Sequence, residues 1–210
     1  MPGGHGDYGL RLTELLTARL CHELVSPVGA IGNGVEILME DAGFAAEAVG
    51  IVNDSVRNLT RRLQFYRIAY GSISPLPPDR VRAATLDFFT GGRVRCDWPD
   101  ALAVPAEQLK LAANLALLAS ESLPRGGRIA LTMDGGIGLG VVAEGEGARL
   151  SPDLDGILDG LSPAVALDPR NVHGAFTSLL AERAGLRLVV TVGEGGLRFG
   201  LVSPDEAGRS

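Results

Sequence analysis

The stretch LCHELVSPVGAIGNGVEIL, residues 20–38, decides how the rest of the chain is read. Leu12, Leu16, Leu20, Leu24, Val28, Ile31, Val35 and Leu38 recur at steps of three and four, which lays one apolar stripe along a helix. His22 falls off that stripe. It shares an outer face with Ala18, Ser26, Gly29 and Asn33, so its imidazole stands in water among small neighbours, with room for another surface to come close. A lone exposed histidine on a helix is most often just a solvated side chain, and a metal site is disfavoured further. His22-Glu23 opens like the zinc pattern H-E-x-x-H, but Ser26 stands where the second ligand belongs. Pro27 removes a backbone donor inside the helix at about 3 kcal/mol unless something compensates, so a kink just past His22 reads as selected for shape.

Working outward, the first helix is expected over residues 7–41, closed by Gly43. A second follows over 45–70, where Val49, Val52, Val56, Leu59, Leu63, Tyr66 and Tyr70 alternate steps of three and four like the seam of a helical bundle. The short link at Gly43-Phe44 makes the two helices antiparallel neighbours. A two-helix hairpin cannot cover both apolar stripes by itself, which predicts a homodimer whose two hairpins complete a four-helix bundle. The competing arrangement is that the C-terminal domain covers the stripe within one chain.

Residues 71–78, GSISPLPP, break the helical pattern with three prolines and a glycine. The expected organisation is therefore a helical hairpin over 1–72, a linker over 73–78 and a second domain over 79–210. In that domain strands are expected at 94–98, 128–133, 137–143, 186–192 and 197–202, and helices at 105–122 and 172–184. Asp134-Gly135-Gly136 and Gly193-Glu194-Gly195-Gly196 are hairpin signals. Antiparallel strands with helices grouped on one face give an α+β fold, a hairpin followed by an α/β sandwich.

Composition narrows the function classes. A net charge of −6 argues against direct nucleic-acid binding, which needs a basic face. Cys21 and Cys96 lie far apart without CxxC spacing and fit a reducing compartment. The start, MPGGHGDYGL, has neither the positive region nor the apolar run of a signal peptide, and no stretch approaches a membrane span of ~20 apolar residues. A cytoplasmic protein is expected. P-loop and G-x-S-x-G patterns are absent, His173 reads as a helix-start residue, and His5 belongs to the terminus.

HELVSP resembles the H box of sensor histidine kinases, in which a dimerisation and phosphotransfer hairpin precedes an ATP-binding α/β sandwich. The domain order here is the same. Kinases of this kind carry NLLxNA ahead of a PxGG turn, the second asparagine helping to hold Mg²⁺ on the nucleotide. Here the stretch is NLALLASESLPRGG: Asn114 matches the first asparagine, but Leu118 occupies the metal-binding place and cannot coordinate magnesium. The adenine-recognising D-x-G-x-G becomes Ala143-Glu144-Gly145-Glu146-Gly147, and the later glycine-rich lid is reduced to the surroundings of Gly174. With its kinase motifs lost, the chain resembles the ChpT-type histidine phosphotransferases of alphaproteobacterial cell-cycle phosphorelays.

That resemblance implies a phosphoryl shuttle with His22 as carrier and Glu23 orienting or accepting the other ring proton. The donor would be the receiver domain of a hybrid histidine kinase, and the acceptors receiver domains of response regulators. No cofactor of its own is expected, with Mg²⁺ supplied by the receiver. Docking is expected around Arg19, Ser26, Gly29 and Asn33, with Arg61 and Arg62 of the second helix as further contacts. The rivals are a divergent ATP-dependent kinase and a non-catalytic adaptor for response regulators.

Overall fold

The structure, a computed structural model, describes residues 4–40, 42–71, 76–134, 138–151, 154, 157 and 167–204. Helix α1, Gly4–Glu40, runs 37 residues, on the order of 55 Å at 1.5 Å per residue, without interruption at Pro27. A 3-10 turn, Ala42–Phe44, reverses the chain into α2, Ala45–Ala69. The alternation on α2 divides its apolar residues between two directions. Val52, Leu59 and Tyr66 are buried or half-buried, whereas Val49, Val56 and Leu63 are each about 45 % exposed. On α1 the same split leaves Cys21, Val28 and Val35 exposed while Leu20, Leu24 and Ile31 turn inward. Close approach of the helices is set at Gly34, where a Cβ would lie 2.7 Å from Val52 Cγ2 and 3.3 Å from the Ala48 carbonyl.

Helix α3, Pro78–Phe89, follows and was not foreseen. Its signal was present: Pro78 sits at the first helical position, where a missing N–H costs nothing, and Val81, Thr85 and Phe89 repeat every four residues and are buried. The linker expected over 73–78 falls largely on residues 72–75, which lie outside the described residues, and its last residue is the start of α3.

The rest of the second domain is β1 (Val94–Asp97), a 3-10 turn (Ala106–Gln108), α4 (Leu109–Glu121), β2 (Gly127–Asp134), β3 (Gly138–Glu144), α5 (Val172–Arg183), β4 (Arg187–Gly193) and β5 (Gly196–Val202). The sheet order is β1-β2-β3-β5-β4. β1 and β2 pair in parallel and every other neighbouring pair is antiparallel. The β4–β5 hairpin closes on the Gly193–Gly196 pair, with Gly195 at φ +79°, a conformation that favours glycine. The turn expected at Asp134-Gly135-Gly136 lies partly outside the described residues, although Asp134 pairs with Gly138 as that turn requires.

Ile129, Leu131, Leu139, Val141, Ala143, Leu197, Phe199 and Leu201 line the inner face of the sheet, and α4 covers it with Leu111, Leu115 and Leu118. The same apolar core takes in Phe65, Tyr66, Ile68 and Ala69 from the last turns of α2. The second domain is thus built onto the end of the hairpin, leaving the stripe of Val28, Val35, Val49, Val56 and Leu63 uncovered. The arrangement in which it covers that stripe within one chain is not the one adopted.

Gly34 and Gly32 give a matched test of helix packing. Gly34→Ala is expected to destabilise the protein by about 1–3 kcal/mol, because the added methyl must displace a β-branched side chain and press on a carbonyl. Gly32→Ala, whose Cβ meets nothing within 4 Å, should gain up to about 1 kcal/mol from helix propensity. Urea unfolding of both variants checks this, and equal effects would contradict the packing at Gly34.

Candidate functional site

His22 is exposed on α1, and Ala18, Ser26, Gly29 and Asn33 are exposed with it. Each residue of an α-helix turns about 100° from the last, so residues 22, 26, 29 and 33 lie on one face. A Cβ at Gly29 or Gly32 would meet nothing within 4 Å, so both glycines leave bare backbone at the surface. Of Gly29, Gly32 and Gly34, Gly34 alone is packed against the neighbouring helix. Val25, overlooked in the sequence, is 67 % exposed one turn after His22 and puts an apolar group on this face. The signal for it was its step of three from His22.

Glu23 sits at the edge of that face and reaches toward α2. Its Oε2 lies 2.5 Å from Arg62 Nη1, and Arg62 Nε donates to Asn58 Oδ1 at 3.0 Å. The Arg62 guanidinium also lies 5.8 Å from the centre of the Phe88 ring, on α3. Arg62, expected as a docking contact, is engaged on three sides. Arg61 is half-buried beside it.

Arg19 also departs from its expected role. It is ion-paired and hydrogen-bonded to Glu121 at the end of α4, and only 17 % of its side chain is exposed. The reason is its position. Arg19 lies one turn before His22, where α1 comes within reach of Glu121 at the end of α4. Burial nonetheless pushes the Glu121 carboxyl up to about 7, with Arg19 opposing. Burial raises Tyr70 and Tyr66 well above the usual phenol value, with the nearby Arg19 charge opposing at both.

His173, taken from the sequence as a helix-start residue, is fully buried where α2, α4 and α5 meet. Its Nε2 is 3.2 Å from the Asn114 carbonyl, and its Nδ1 is 3.2 Å from the Tyr70 hydroxyl. A carbonyl can only accept, so Nε2 carries the proton and Nδ1 accepts from Tyr70. Burial drops its pKa to about 3, which keeps the ring neutral. Only the three-dimensional fold brings Arg19, Tyr70, Glu121 and His173 together, and no local spacing announces it.

The positions that match kinase nucleotide motifs are packed. Leu118 and Ala143 are fully buried in the core. Asn114 is also buried, and its Nδ2 donates to the Ala69 carbonyl at 3.0 Å and the Lys110 carbonyl at 2.8 Å, tying α4 to the end of α2. At Gly174 a Cβ would run into the Leu154 side chain, so apolar atoms lie directly against that backbone. Gly126 and Gly127, the PxGG glycines, have φ of +85° and +147° and sit against the backbone of Arg93 and Glu144, with no room for a side chain.

The chain thus joins a two-helix hairpin bearing an exposed histidine to an α/β sandwich. Residues 78–196 match the model of the histidine phosphotransferase C-terminal domain. The chain is 33% identical over 190 residues to the protein phosphotransferase ChpT of Brucella abortus (strain 2308), covering 86% of this chain and 90% of that one. It is also similar to a solved structure described as a bacterial phosphotransferase, with a TM-score of 0.79, 29% identity, and coverage of 91% of this chain and 96% of the other. The chain belongs to the ChpT-type histidine phosphotransferases. No helix of the described residues is long and apolar enough to cross a membrane.

The buried imidazole makes stability depend on pH. An unfolded His173 binds a proton near pH 6.5 and the native one only near 3, so stability present above 6.5 is lost as pH falls. Between pH 7 and pH 5 the loss from this residue should reach about 2 kcal/mol, at 1.36 kcal/mol per pH unit below 6.5. Glu121, raised to about 7, works in the opposite sense over much of that window. The comparison that isolates His173 is therefore with His173→Gln, which should lose about 2 kcal/mol less over the same range by urea unfolding. Identical pH slopes would contradict a neutral buried ring.

Proposed function

We propose that this chain carries phosphoryl groups between receiver domains through a phosphohistidine at His22, without using ATP. The observation that carries this reading is the pairing of an exposed His22, followed by Glu23, with a sandwich in which Leu118 and Ala143 are buried at positions matching kinase nucleotide motifs and Leu154 packs against Gly174. Membership in a phosphotransferase family supports it. A lone pair on one nitrogen of the neutral His22 ring attacks the phosphorus of an aspartyl phosphate. The bond from phosphorus to the acyl oxygen breaks, and its electrons leave with the aspartate carboxylate. Glu23 holds the proton on the other ring nitrogen. Attack by a second receiver's aspartate reverses these events, so the chemistry consists of positioning and charge neutralisation. Mg²⁺ belongs to the receiver, and this chain supplies no ligand to it.

Docking falls on the His22 face, through Val25, Ser26, Gly29 and Asn33, where bare helix backbone lets a partner come close. The donor is the receiver of a hybrid kinase and the acceptors are response-regulator receivers, as in the related phosphorelays. A homodimer fits the uncovered stripe. Val28 and Val35 on α1 and Val49, Val56 and Leu63 on α2 recur every seventh residue, the spacing of a bundle seam, and remain exposed in the single chain. The cytoplasm is the compartment in which such receivers meet it.

Two experiments test this. Purified protein mixed with an aspartyl-phosphorylated receiver, without ATP, should acquire acid-labile, base-stable label, and His22→Ala should acquire none. A folded Gly29→Leu protein should transfer at least about tenfold more slowly, because the side chain fills the docking face without touching the hairpin's interior. Label arising only from ATP would establish a kinase, and receiver binding without any label would establish an adaptor. For the assembly, light scattering should give a dimer for the natural chain and a monomer for Val56→Glu, since a charge in a bundle seam is desolvated without a partner. A monomeric natural chain would remove the four-helix bundle.

A further inference from the structure

We infer that Arg62 is a positioning residue for phosphoryl transfer: it fixes and neutralises the Glu23 carboxylate beside His22, and Phe88 of the second domain holds Arg62 in place. This rests on the reading of His22 as the phosphoryl carrier. Glu23 has three rotatable side-chain bonds, and on an exposed helix its carboxylate would sweep a wide arc. Arg62 removes that freedom by holding Oε2 at 2.5 Å. The guanidinium is itself fixed, by Asn58 Oδ1 at 3.0 Å from Nε and by the Phe88 ring at 5.8 Å from Cζ. Phe88 does not move freely either, since it stacks on Phe65 with ring centres 4.1 Å apart and meets Tyr66 edge-on at 5.6 Å. Both members of the ion pair are about 30 % exposed, so the pair is partly shielded from water.

Two consequences bear on the reaction. With Oε2 engaged, Oε1 is left to accept the second ring N–H of His22. As the first ring nitrogen forms its bond to phosphorus, positive charge develops on the imidazole and that N–H becomes more acidic, so a fixed acceptor stabilises the transition state more than the ground state. The second consequence concerns repulsion. The incoming phosphoryl group is anionic, and an unpaired Glu23 next to His22 would oppose it. The Arg62 charge offsets this without meeting the phosphate, because its donors are directed at Glu23 and Asn58. The second domain thereby serves the reaction through a single ring on α3, apart from any nucleotide.

The test is the single-turnover rate of transfer from a phosphorylated receiver, measured against receiver concentration. The proteins compared are the natural chain, Arg62→Gln, Arg62→Lys, Glu23→Gln, the Glu23→Gln/Arg62→Gln double variant and Phe88→Leu. Arg62→Gln should lower the rate at saturating receiver about tenfold while leaving the half-saturating concentration unchanged. Arg62→Lys, which keeps the charge, should recover part of that loss, and Phe88→Leu should show a smaller fall of the same kind. The double variant should be no slower than the slower single one, because Arg62 acts through Glu23. A raised half-saturating concentration with the saturated rate intact would make Arg62 a docking contact and overturn the inference, as would multiplying effects in the double variant. If the natural chain takes no label, the carrier reading fails before Arg62 is reached.

Discussion

The last two turns of α2 constrain everything else, because they belong to two structures at once. Their outward residues complete the hairpin, while Phe65, Tyr66, Ile68 and Ala69 are buried in the core of the second domain. Burying side chains of this size contributes on the order of 1.5–3 kcal/mol each, so separating the units would expose several such groups together. Polar contacts reinforce the junction. Asn114 holds the Ala69 carbonyl, Lys110 holds that of Gly71, and Tyr70 donates to His173. A helix end whose free carbonyls are taken up by side chains of another domain is a fixed joint.

That joint goes with tight packing at the positions that match kinase nucleotide motifs. A kinase needs its sandwich loose enough to carry ATP to the histidine. Here Asn114 is committed to the end of α2, and Arg19, three residues before His22, is bound to Glu121 of α4. Leu118, Ala143 and Leu154 add core contacts where a nucleotide site would need polar groups and open space. Their burial stabilises the docked arrangement.

Much of this was legible in the sequence, and the failures have a common cause. Helices α1 and α2 and the five strands follow from periodicity and turn residues, which are local. The exposure of His22 came from the same helical phase, but the split that leaves Val49 and Val56 facing out is not visible in an alternation that reads as a single seam. Helix α3 was missed because Pro75, Pro77 and Pro78 were read as a connector, although a proline at the first helical position starts a helix as well as it ends one. The partners of Arg19, Arg62 and His173 were not legible for a different reason. A charged or polar residue at a helix flank looks alike in sequence whether water or a buried counter-group faces it. Glu121, Glu23 and Tyr70, which settle the matter, lie 102, 39 and 103 residues away from Arg19, Arg62 and His173 respectively.

Helix α1 near His22 therefore presents three faces with incompatible demands. One packs on α2, where Gly34 has no room for a methyl group. A second carries Cys21, Val28 and Val35 into the uncovered apolar stripe. The third bears His22 with Ser26, Gly29 and Asn33. A helix offers about 360° for all three, so each receives roughly a third, and residues at the boundaries must serve two neighbours. Arg19 and Glu23 are those boundary residues. Each extends a charged group from the edge of the His22 face onto another element, Arg19 to α4 and Glu23 to α2. The face between them is left with small side chains, Val25 and the single imidazole, which on the proposed reading is the shape that lets a partner's phosphorylated loop reach a ring nitrogen.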